Sequence, residues 1–275
     1  MKYALRLSYL GKNYCGWQRQ STELDKKPVL PSIQEQVELA VSSMIDKPTT
    51  VVASGRTDAG VNATAQIVHF WCDRPNLNAN IFYRGLNSLL PLDVRCMEVH
   101  AVADTFHAQQ SAIKKQYSYY FQQGPCTLPQ FADSSFWIRK KLDVSAMQEA
   151  LSVLQGEHDF KSFQARGSKP ELATVRTLFE AEVTRESMPS FPGQDLNERG
   201  YSMVRIRLVG SGFLKQMVRG IAGTLLQIGE GRRKASEMPE ILLSKNRALV
   251  GPTAPAKGLT LERVWYKPDL YGNPN

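Results

Sequence analysis

An arginine and an aspartate lie two residues apart in a short glycine-bounded segment, residues 55–60, with the sequence Gly-Arg-Thr-Asp-Ala-Gly. Glycine adopts backbone conformations closed to other residues and lets a ligand approach the main chain. Carboxylates serve enzymes as nucleophiles, and a nearby guanidinium favours their ionised form. Arg56 and Asp58 are therefore candidates for chemistry. Taken alone, the segment is more typical of a connecting turn, because Asp and Gly are ordinary turn residues.

The chain as a whole carries more basic than acidic side chains. The 275 residues include 34 Lys and Arg against 26 Asp and Glu, a net charge of +8. Such a surface attracts polyanions, of which nucleic acid is the commonest. Arg219 lies in an otherwise apolar helical stretch, where a partly buried guanidinium favours a carboxylate partner. Residues 114–119 interleave cations with tyrosines, a pattern that suits phosphates and stacked bases but is also ordinary in sheets.

Several classes of function lose support. The four cysteines show no Cys-x-x-Cys spacing and the four histidines form no metal-binding pattern with them, so we expect reduced thiols and no metal. No phosphate-binding glycine loop, serine-hydrolase motif or His-Glu-x-x-His motif is present, and no cofactor is predicted. The N-terminus is charged too early for a signal peptide, and no apolar run is long enough to span a membrane. We expect a cytoplasmic protein.

The first part of the chain predicts the element order β-α-β-β-α-β. Alternating apolar residues predict strands over residues 3–9, 49–53, 66–72 and 94–102. Ser32 and Glu35 form a capping box before a helix, and a second helix is predicted over residues 80–90. Asp58 would then lie between the second and third strands.

The second part predicts the same order with one helix added. We expect a strand at 115–121, a helix capped by Asp143, an irregular stretch at 157–175, and a strand with Phe179, Ala181 and Val183 facing the core. A mobile connection at 185–200 precedes a strand at 204–208, a helix from about Phe213 to Gly229, a helix at 238–244 and a strand at 259–266. The predicted fold is α+β, with two related βαββαβ (ferredoxin-like) halves. Their antiparallel sheets would lie side by side with a basic cleft between domains 1–105 and 106–275.

A set of motifs in this order resembles the TruA family of tRNA pseudouridine synthases. The resemblance runs from about Lys2 to Tyr266. It is carried by Tyr14-x-Gly16-Trp17-Gln18-x-Gln20, Gly55-Arg56-Thr57-Asp58-Ala59-Gly60-Val61, Phe106-His107-Ala108, Lys115-x-Tyr117-x-Tyr119, Phe213-Leu214-x-x-Met217-Val218-Arg219 and Gly258-Leu259.

The resemblance implies an activity and a role for each site residue. Uridine in tRNA would be isomerised to pseudouridine at positions 38, 39 and 40 of the anticodon stem-loop, without cofactor or metal, by a homodimer. Asp58 is implied as the catalytic nucleophile and Arg219 as the partner that keeps it ionised. Arg56 is implied to occupy the space left by the flipped uridine, and Tyr117 to stack on that base.

The sequence departs from the family pattern at a few positions. Asn62 stands where His is usual, Leu10 where an acidic residue is common, and Gln116 where a basic residue is frequent; the loop at 21–31 is longer than in many relatives. These departures bear on substrate details rather than on the chemistry.

Two other classes of function stay open at this point. A catalytically silent RNA-binding protein would need the basic and aromatic residues but not Asp58. A hydrolase of glycosidic bonds would need a second carboxylate and an activated water, and no second carboxylate joins the motifs.

Overall fold

A computed structural model describes residues 1–20, 30–167, 173–188, 195–267 and 270. These residues contain ten strands and five α-helices, so the mixed α/β architecture is confirmed. The chain divides into two compact units, Met1–Lys115 with Leu261–Asn275, and Gln116–Thr260. The last strand is thereby grouped with the N-terminal unit, whereas the sequence placed it in a domain 106–275. The ferredoxin-like pairing of two halves and the basic cleft stay predictions.

The first unit has the predicted element order. It contains β1 (Lys2–Tyr9), α1 (Ile33–Ile45), β2 (Val52–Ala53), β3 (Asn62–Trp71), α2 (Ala79–Leu89), β4 (Val94–Val102) and most of β10 (Leu259–Trp265). The strands follow the order β4-β1-β3-β10, with β2 also paired to β3. β1 is antiparallel to both β3 and β4. Most of the long loop predicted at 21–31 lies outside the described residues.

The helices of the first unit begin where their capping residues predict. Ser32 Oγ accepts the Glu35 N–H at 3.1 Å, which satisfies one of the free donors at the start of α1. Asn78 caps α2 in the same way, through the Ile81 N–H at 3.1 Å. One face of each helix and much of β1 and β3 is buried in the core, where the fully buried side chains include Leu5, Val37, Val68, Phe70 and Phe82.

The second unit holds the remaining elements. These are most of β5 (Lys114–Gln123), then β6 (Phe136–Ile138), α3 (Val144–Ser152), β7 (Gly156–Asp159), β8 (Val175–Glu186), β9 (Ser202–Gly210), α4 (Met217–Gly229) and α5 (Met238–Leu243). The strand order is β5-β9-β8-β7, with β6 parallel beside β5. α3 begins at the predicted cap, Asp143, whose carboxylate accepts the Ala146 N–H at 3.0 Å. Within the predicted mobile connection, residues 189–194 lie outside the described residues.

Three details of the second unit correct the sequence predictions. The stretch predicted as irregular begins with β7, and β6 was not predicted at all. Phe179 is 45% exposed whereas Leu178 is buried, because the β8–β9 register shifts between Leu178 and Glu180 and reverses the alternation of faces. The long helix starts at Met217 rather than near Phe213, since Gln216 has a φ of 60°, which no α-helix accommodates.

Candidate active site

Asp58 lies in a tight turn between β2 and β3, as predicted. The Val61 N–H donates to the Asp58 carbonyl at 3.1 Å, and Gly60 has a φ of 76°, a conformation that glycine adopts without strain. Asp58 is half-buried, whereas Arg56 is exposed. The turn therefore brings one carboxylate and one guanidinium to the same short segment of the first unit.

A second segment, around Gly16 and Trp17, holds the turn from one side. Gly16 forms an isolated β-bridge with Asp58, and the Trp17 N–H donates to the Thr57 carbonyl at 3.0 Å. Gly16 has a φ of 112°, and a Cβ at this position would lie 2.8 Å from the Thr57 oxygen. Only glycine fits here without displacing the turn. The sequence marked this motif for its resemblance, but did not show that it supports Asp58.

Buried neutral polar groups hold the turn from beneath. The Tyr9 hydroxyl is 2.9 Å from Thr57 Oγ1, and Gln66 Nε2 donates to the Gly55 carbonyl at 2.8 Å. Ser54 Oγ donates to Gln66 Oε1 at 2.7 Å. Burial raises the pKa of Tyr9 to about 12, which keeps its hydroxyl protonated. Because buried polar groups are costly when unpaired, this set of bonds fixes the turn in one geometry.

Lys115 adds a cation to the same turn. Its Nζ donates to the Ser54 carbonyl at 2.6 Å, and a Cβ on Gly55 would lie 3.0 Å from that nitrogen. Burial lowers the pKa of the Lys115 ammonium. The interpretation of this lysine as one of the cations for RNA phosphates missed the contact, because no local pattern predicts a bond to a residue 61 positions away.

Asn62, one of the departures from the family pattern, has a structural contact in the first unit. Its side chain is 3% exposed, and its Oδ1 accepts the Gly11 N–H at 2.8 Å. A Cβ on Gly11 would lie 2.3 Å from the Val61 carbonyl oxygen, so the two segments approach closely. This bond ties the start of β3 to the chain that follows β1, beside the Asp58 turn.

Tyr117 occupies β5 in the second unit and is 8% exposed. Its ring meets that of Phe213 edge to face, with centroids 5.1 Å apart and planes at 79°. Aromatic pairs favour this arrangement. Phe213 therefore fixes the orientation of the ring that the resemblance assigns to base stacking.

Arg219 lies in the first turn of α4 and is tied to the segment 250–254. Its Nε donates to the Ala254 carbonyl at 2.8 Å, and the Ala254 N–H donates back to the Arg219 carbonyl at 3.1 Å. Burial raises the pKa of nearby Tyr119, while the Arg219 charge acts in the opposite direction. Two backbone contacts thus set the direction of the guanidinium within the second unit.

The four predicted site residues fall into two pairs. Arg56 and Asp58 share one turn in the first unit, and Tyr117 and Arg219 belong to the second unit. Within the described parts of the chain, no three His, Cys, Asp or Glu residues are grouped as a metal site. None of the described helices has the length and apolarity needed to cross a membrane.

Comparison with known proteins gives one consistent result. Residues 150–267 match a family described as tRNA pseudouridine synthase. A protein named tRNA pseudouridine synthase A, from Francisella tularensis subsp. tularensis (strain FSC 198), is 35% identical over 267 residues, which cover 96% of this chain and 93% of that protein. One of the same name, from Lawsonia intracellularis (strain PHE/MN1-00), is 39% identical over 94% of this chain and 97% of its own length.

Solved structures give a weaker likeness. A chain in a structure described as a Cbf5-Nop10-Gar1 complex is 10% identical and has a TM-score of 0.33, covering 94% of this chain and 58% of that one. A TM-score this low carries no argument about function.

Proposed function

This chain belongs to the tRNA pseudouridine synthase A family, and we propose that it isomerises uridine at positions 38, 39 and 40 of the tRNA anticodon stem-loop, with Asp58 as the nucleophile. Pseudouridine synthases are isomerases. The bond from ribose C1′ to N1 of uracil breaks, the bond from C1′ to C5 forms, and the hydrogen on C5 leaves as a proton. N1 takes up a proton, so the atoms balance and nothing is oxidised.

The observation that carries the proposal is the fixed position of Asp58. Its turn is held by Gly16 and Trp17 on one side, by buried Tyr9 and Gln66 beneath it, and by the Lys115 ammonium. A reacting group that is held in one geometry spares the entropy of positioning it during the reaction. A purely connecting turn needs no such support.

The other three residues take roles that the resemblance implies. We propose that the Arg219 guanidinium keeps Asp58 ionised, since a carboxylate in a closed pocket otherwise becomes protonated. Tyr117 stacks on the flipped uracil, a contact worth about 1–3 kcal/mol per base. Exposed Arg56 fills the space that the uridine leaves, which offsets part of an unstacking cost of a few kcal/mol.

The decisive experiment replaces the nucleophile. Asp58→Asn keeps the shape of the side chain but removes its charge, so release of tritium from C5-labelled uridine in tRNA should fall by about 10⁴-fold or more. Asp104→Asn, an exposed aspartate of the same unit, is the matched control and should keep wild-type turnover. Full release by Asp58→Asn would remove the proposed mechanism.

The same assay separates the alternatives. Binding of tRNA without tritium release by the wild-type chain would favour a silent RNA-binding protein. Release of free uracil would favour a glycosidic-bond hydrolase. We further propose a homodimer acting in the cytoplasm, as the resemblance implies, and sedimentation equilibrium measures the mass directly.

A further inference from the structure

A cavity of about 620 Å³ is lined entirely by residues of the second unit, and none of the four predicted site residues is among them. Its walls come from the chain after β7, from the residues before α4, from the later part of α4 and from the segment 247–253. Twelve residues line it, among them Arg166, Lys215, Gln227, Arg233, Arg247 and Thr253. Four of the twelve are cations and none is acidic.

Two of the cations are exposed at the cavity. Among the described residues, neither Arg166 nor Lys215 makes a side-chain hydrogen bond or ion pair. Arg233, by contrast, lies 3.5 Å from the Glu237 carboxylate. Arg166 and Lys215 are therefore free to contact a ligand without breaking a contact of the fold, and their charges reinforce one another.

Arg247 presents a preorganised guanidinium to the cavity from the segment 247–253. Its Nη1 donates to the Val250 and Gly251 carbonyls, both at 3.2 Å, and its Nη2 donates to Thr253 Oγ1 at 2.7 Å. These acceptors are neutral, so they orient the charge without cancelling it. Burial and the neighbouring Arg166 charge both lower the pKa of Arg247, and an anion between the two guanidiniums would relieve that repulsion.

Gln227 supplies a polar group of another kind. Its side-chain oxygen is buried and has no hydrogen-bond partner among the described residues. A buried acceptor without a donor costs about 1–3 kcal/mol. A ribose hydroxyl beside a phosphate would supply the missing donor.

The wall formed by the segment 250–253 is anchored to α4. The Gly251 N–H donates to Thr224 Oγ1 at 3.0 Å, and a Cβ on Gly223 would lie 1.7 Å from the Pro252 carbonyl oxygen. The next residue, Ala254, is the one that bonds Arg219 through both of its backbone groups. The cavity and the Arg219 guanidinium therefore share one rigid segment.

We propose that this cavity binds a backbone phosphate of the bound tRNA, held by Arg166, Lys215 and Arg247. The proposal rests on the proposed function, because it takes the polyanion to be the tRNA substrate. Arginine favours phosphate through paired N–H donors. A phosphate bound here would position the tRNA relative to the segment 250–254, which also orients Arg219.

The test compares a cavity variant with a matched control of equal charge. Arg166→Gln/Lys215→Gln removes two exposed cations from the cavity. Lys161→Gln/Arg199→Gln removes two exposed cations of the same unit that do not line it. For each protein the tRNA dissociation constant is measured over a range of salt concentrations. Thermal unfolding checks that both variants remain folded.

The cavity variant should weaken tRNA binding about tenfold at low salt and reduce the slope of log affinity against log salt by about 1, the loss of one phosphate contact. The control should change the slope by less than half as much. Equal changes in both variants would overturn the proposal, because they would reflect only the general field. An unchanged tRNA slope with loss of inorganic phosphate binding, measured by calorimetry, would also overturn it and assign the cavity to a free anion.

The two proposals fail separately. If the wild-type protein releases no tritium from labelled tRNA, the proposed function fails, yet the salt dependence still reports whether the cavity contacts RNA. If the wild-type protein turns over normally and the cavity variant keeps the wild-type slope, only the phosphate site fails.

Discussion

The Asp58 turn and the cation-lined cavity place charged groups in opposite ways. Around Asp58, buried neutral groups and the half-buried Lys115 ammonium hold the backbone at several points. Around the cavity, Arg166 and Lys215 are exposed and make no side-chain bonds among the described residues. The first region restricts its charged group, whereas the second leaves two of its four cations, Arg166 and Lys215, free to move.

This difference matches the roles proposed for the two regions. Bond making requires a nucleophile in a fixed position, because misplacement by about 1 Å can cost 10²-fold in rate. Attraction of a polyanion depends on summed charge and is carried by counterion release, which tolerates flexible side chains. The contacts that fix the backbone of the Asp58 turn and the exposed cations of the cavity therefore lie in different regions of the chain.

Arg219→Ala is expected to give the largest effect. Arg219 is a cation, but its side chain is held in place by the Ala254 carbonyl, as the Asp58 turn is held by its neighbours. Turnover should fall by about 10²-fold or more, the usual cost of removing a charge that acts on a reacting group. The dissociation constant for tRNA should change by less than about threefold, because the proposed partner of Arg219 is the Asp58 carboxylate and not a tRNA phosphate. Single-turnover kinetics and equilibrium binding measure the two quantities. A proportional loss of both would make Arg219 only a phosphate contact, like those of the cavity.

Gly16→Ala loosens the rigid region through its backbone. The φ of 112° and the approach of 2.8 Å to the Thr57 oxygen both disfavour a Cβ, so the free energy of unfolding should fall by about 2–3 kcal/mol. Turnover should fall as well, because Asp58 shifts with Thr57. Gly200→Ala is the control: its φ is 79°, but no atom of the residues that the structure describes lies within 4 Å of the added Cβ.

That control should cost only about 1–2 kcal/mol from the left-handed backbone and leave turnover unchanged. Urea unfolding and the tritium assay give both values. Equal losses of turnover in the two variants would show that Gly16 matters for stability alone.

His69→Asn tests the neutrality of the buried polar groups in the first unit. His69 is 5% exposed, and its Nδ1 accepts the Ala108 N–H at 3.1 Å. Burial first, and then the charges of His107 and Lys2, lower its pKa to about 4. Between pH 6.5 and 4 the unfolded chain therefore takes up a proton that the folded chain does not, and stability falls as the pH falls.

The loss in that window should reach up to about 3 kcal/mol in the wild type. The substituted asparagine keeps an acceptor for the Ala108 N–H but does not titrate, so the variant should lose less stability between about pH 7 and pH 4.5. Urea unfolding at both values measures the difference. If the free energy of unfolding changed equally with pH in the wild type and in His69→Asn, the prediction that His69 is buried in its neutral form would be contradicted.

The sequence predicted the parts of this structure that depend on local rules. Ser32, Asn78 and Asp143 precede helices because a side-chain oxygen satisfies the free N–H groups there, and a short polar residue before an apolar repeat reveals it; Ser32 and Asp143 were assigned in this way. The turn at Asp58 followed from its glycines. The roles of Arg219 and Tyr117 came from resemblance and stay predictions.

What the sequence missed depends on distant contacts or on a single irregular residue. The β8 register shift exposes Phe179, and the positive φ of Gln216 delays α4, yet neither leaves a pattern in the residues around it. The Lys115 bond to Ser54 and the contacts of Gly16 with Thr57 join segments far apart in the chain. The sequence did not predict the cavity either, because its four cations come from four separate stretches of the chain.

The segment 250–254 has no regular secondary structure, yet its amides should exchange with solvent deuterium almost as slowly as those of α4. The Gly251 and Ala254 N–H groups are bonded to Thr224 and Arg219 of that helix, and the Gly223 contact leaves no room for them to separate. Exchange from such bonds requires the helix itself to open. This loop should therefore open only when α4 opens. The Ala254 carbonyl, which orients Arg219, should stay in place for equally long.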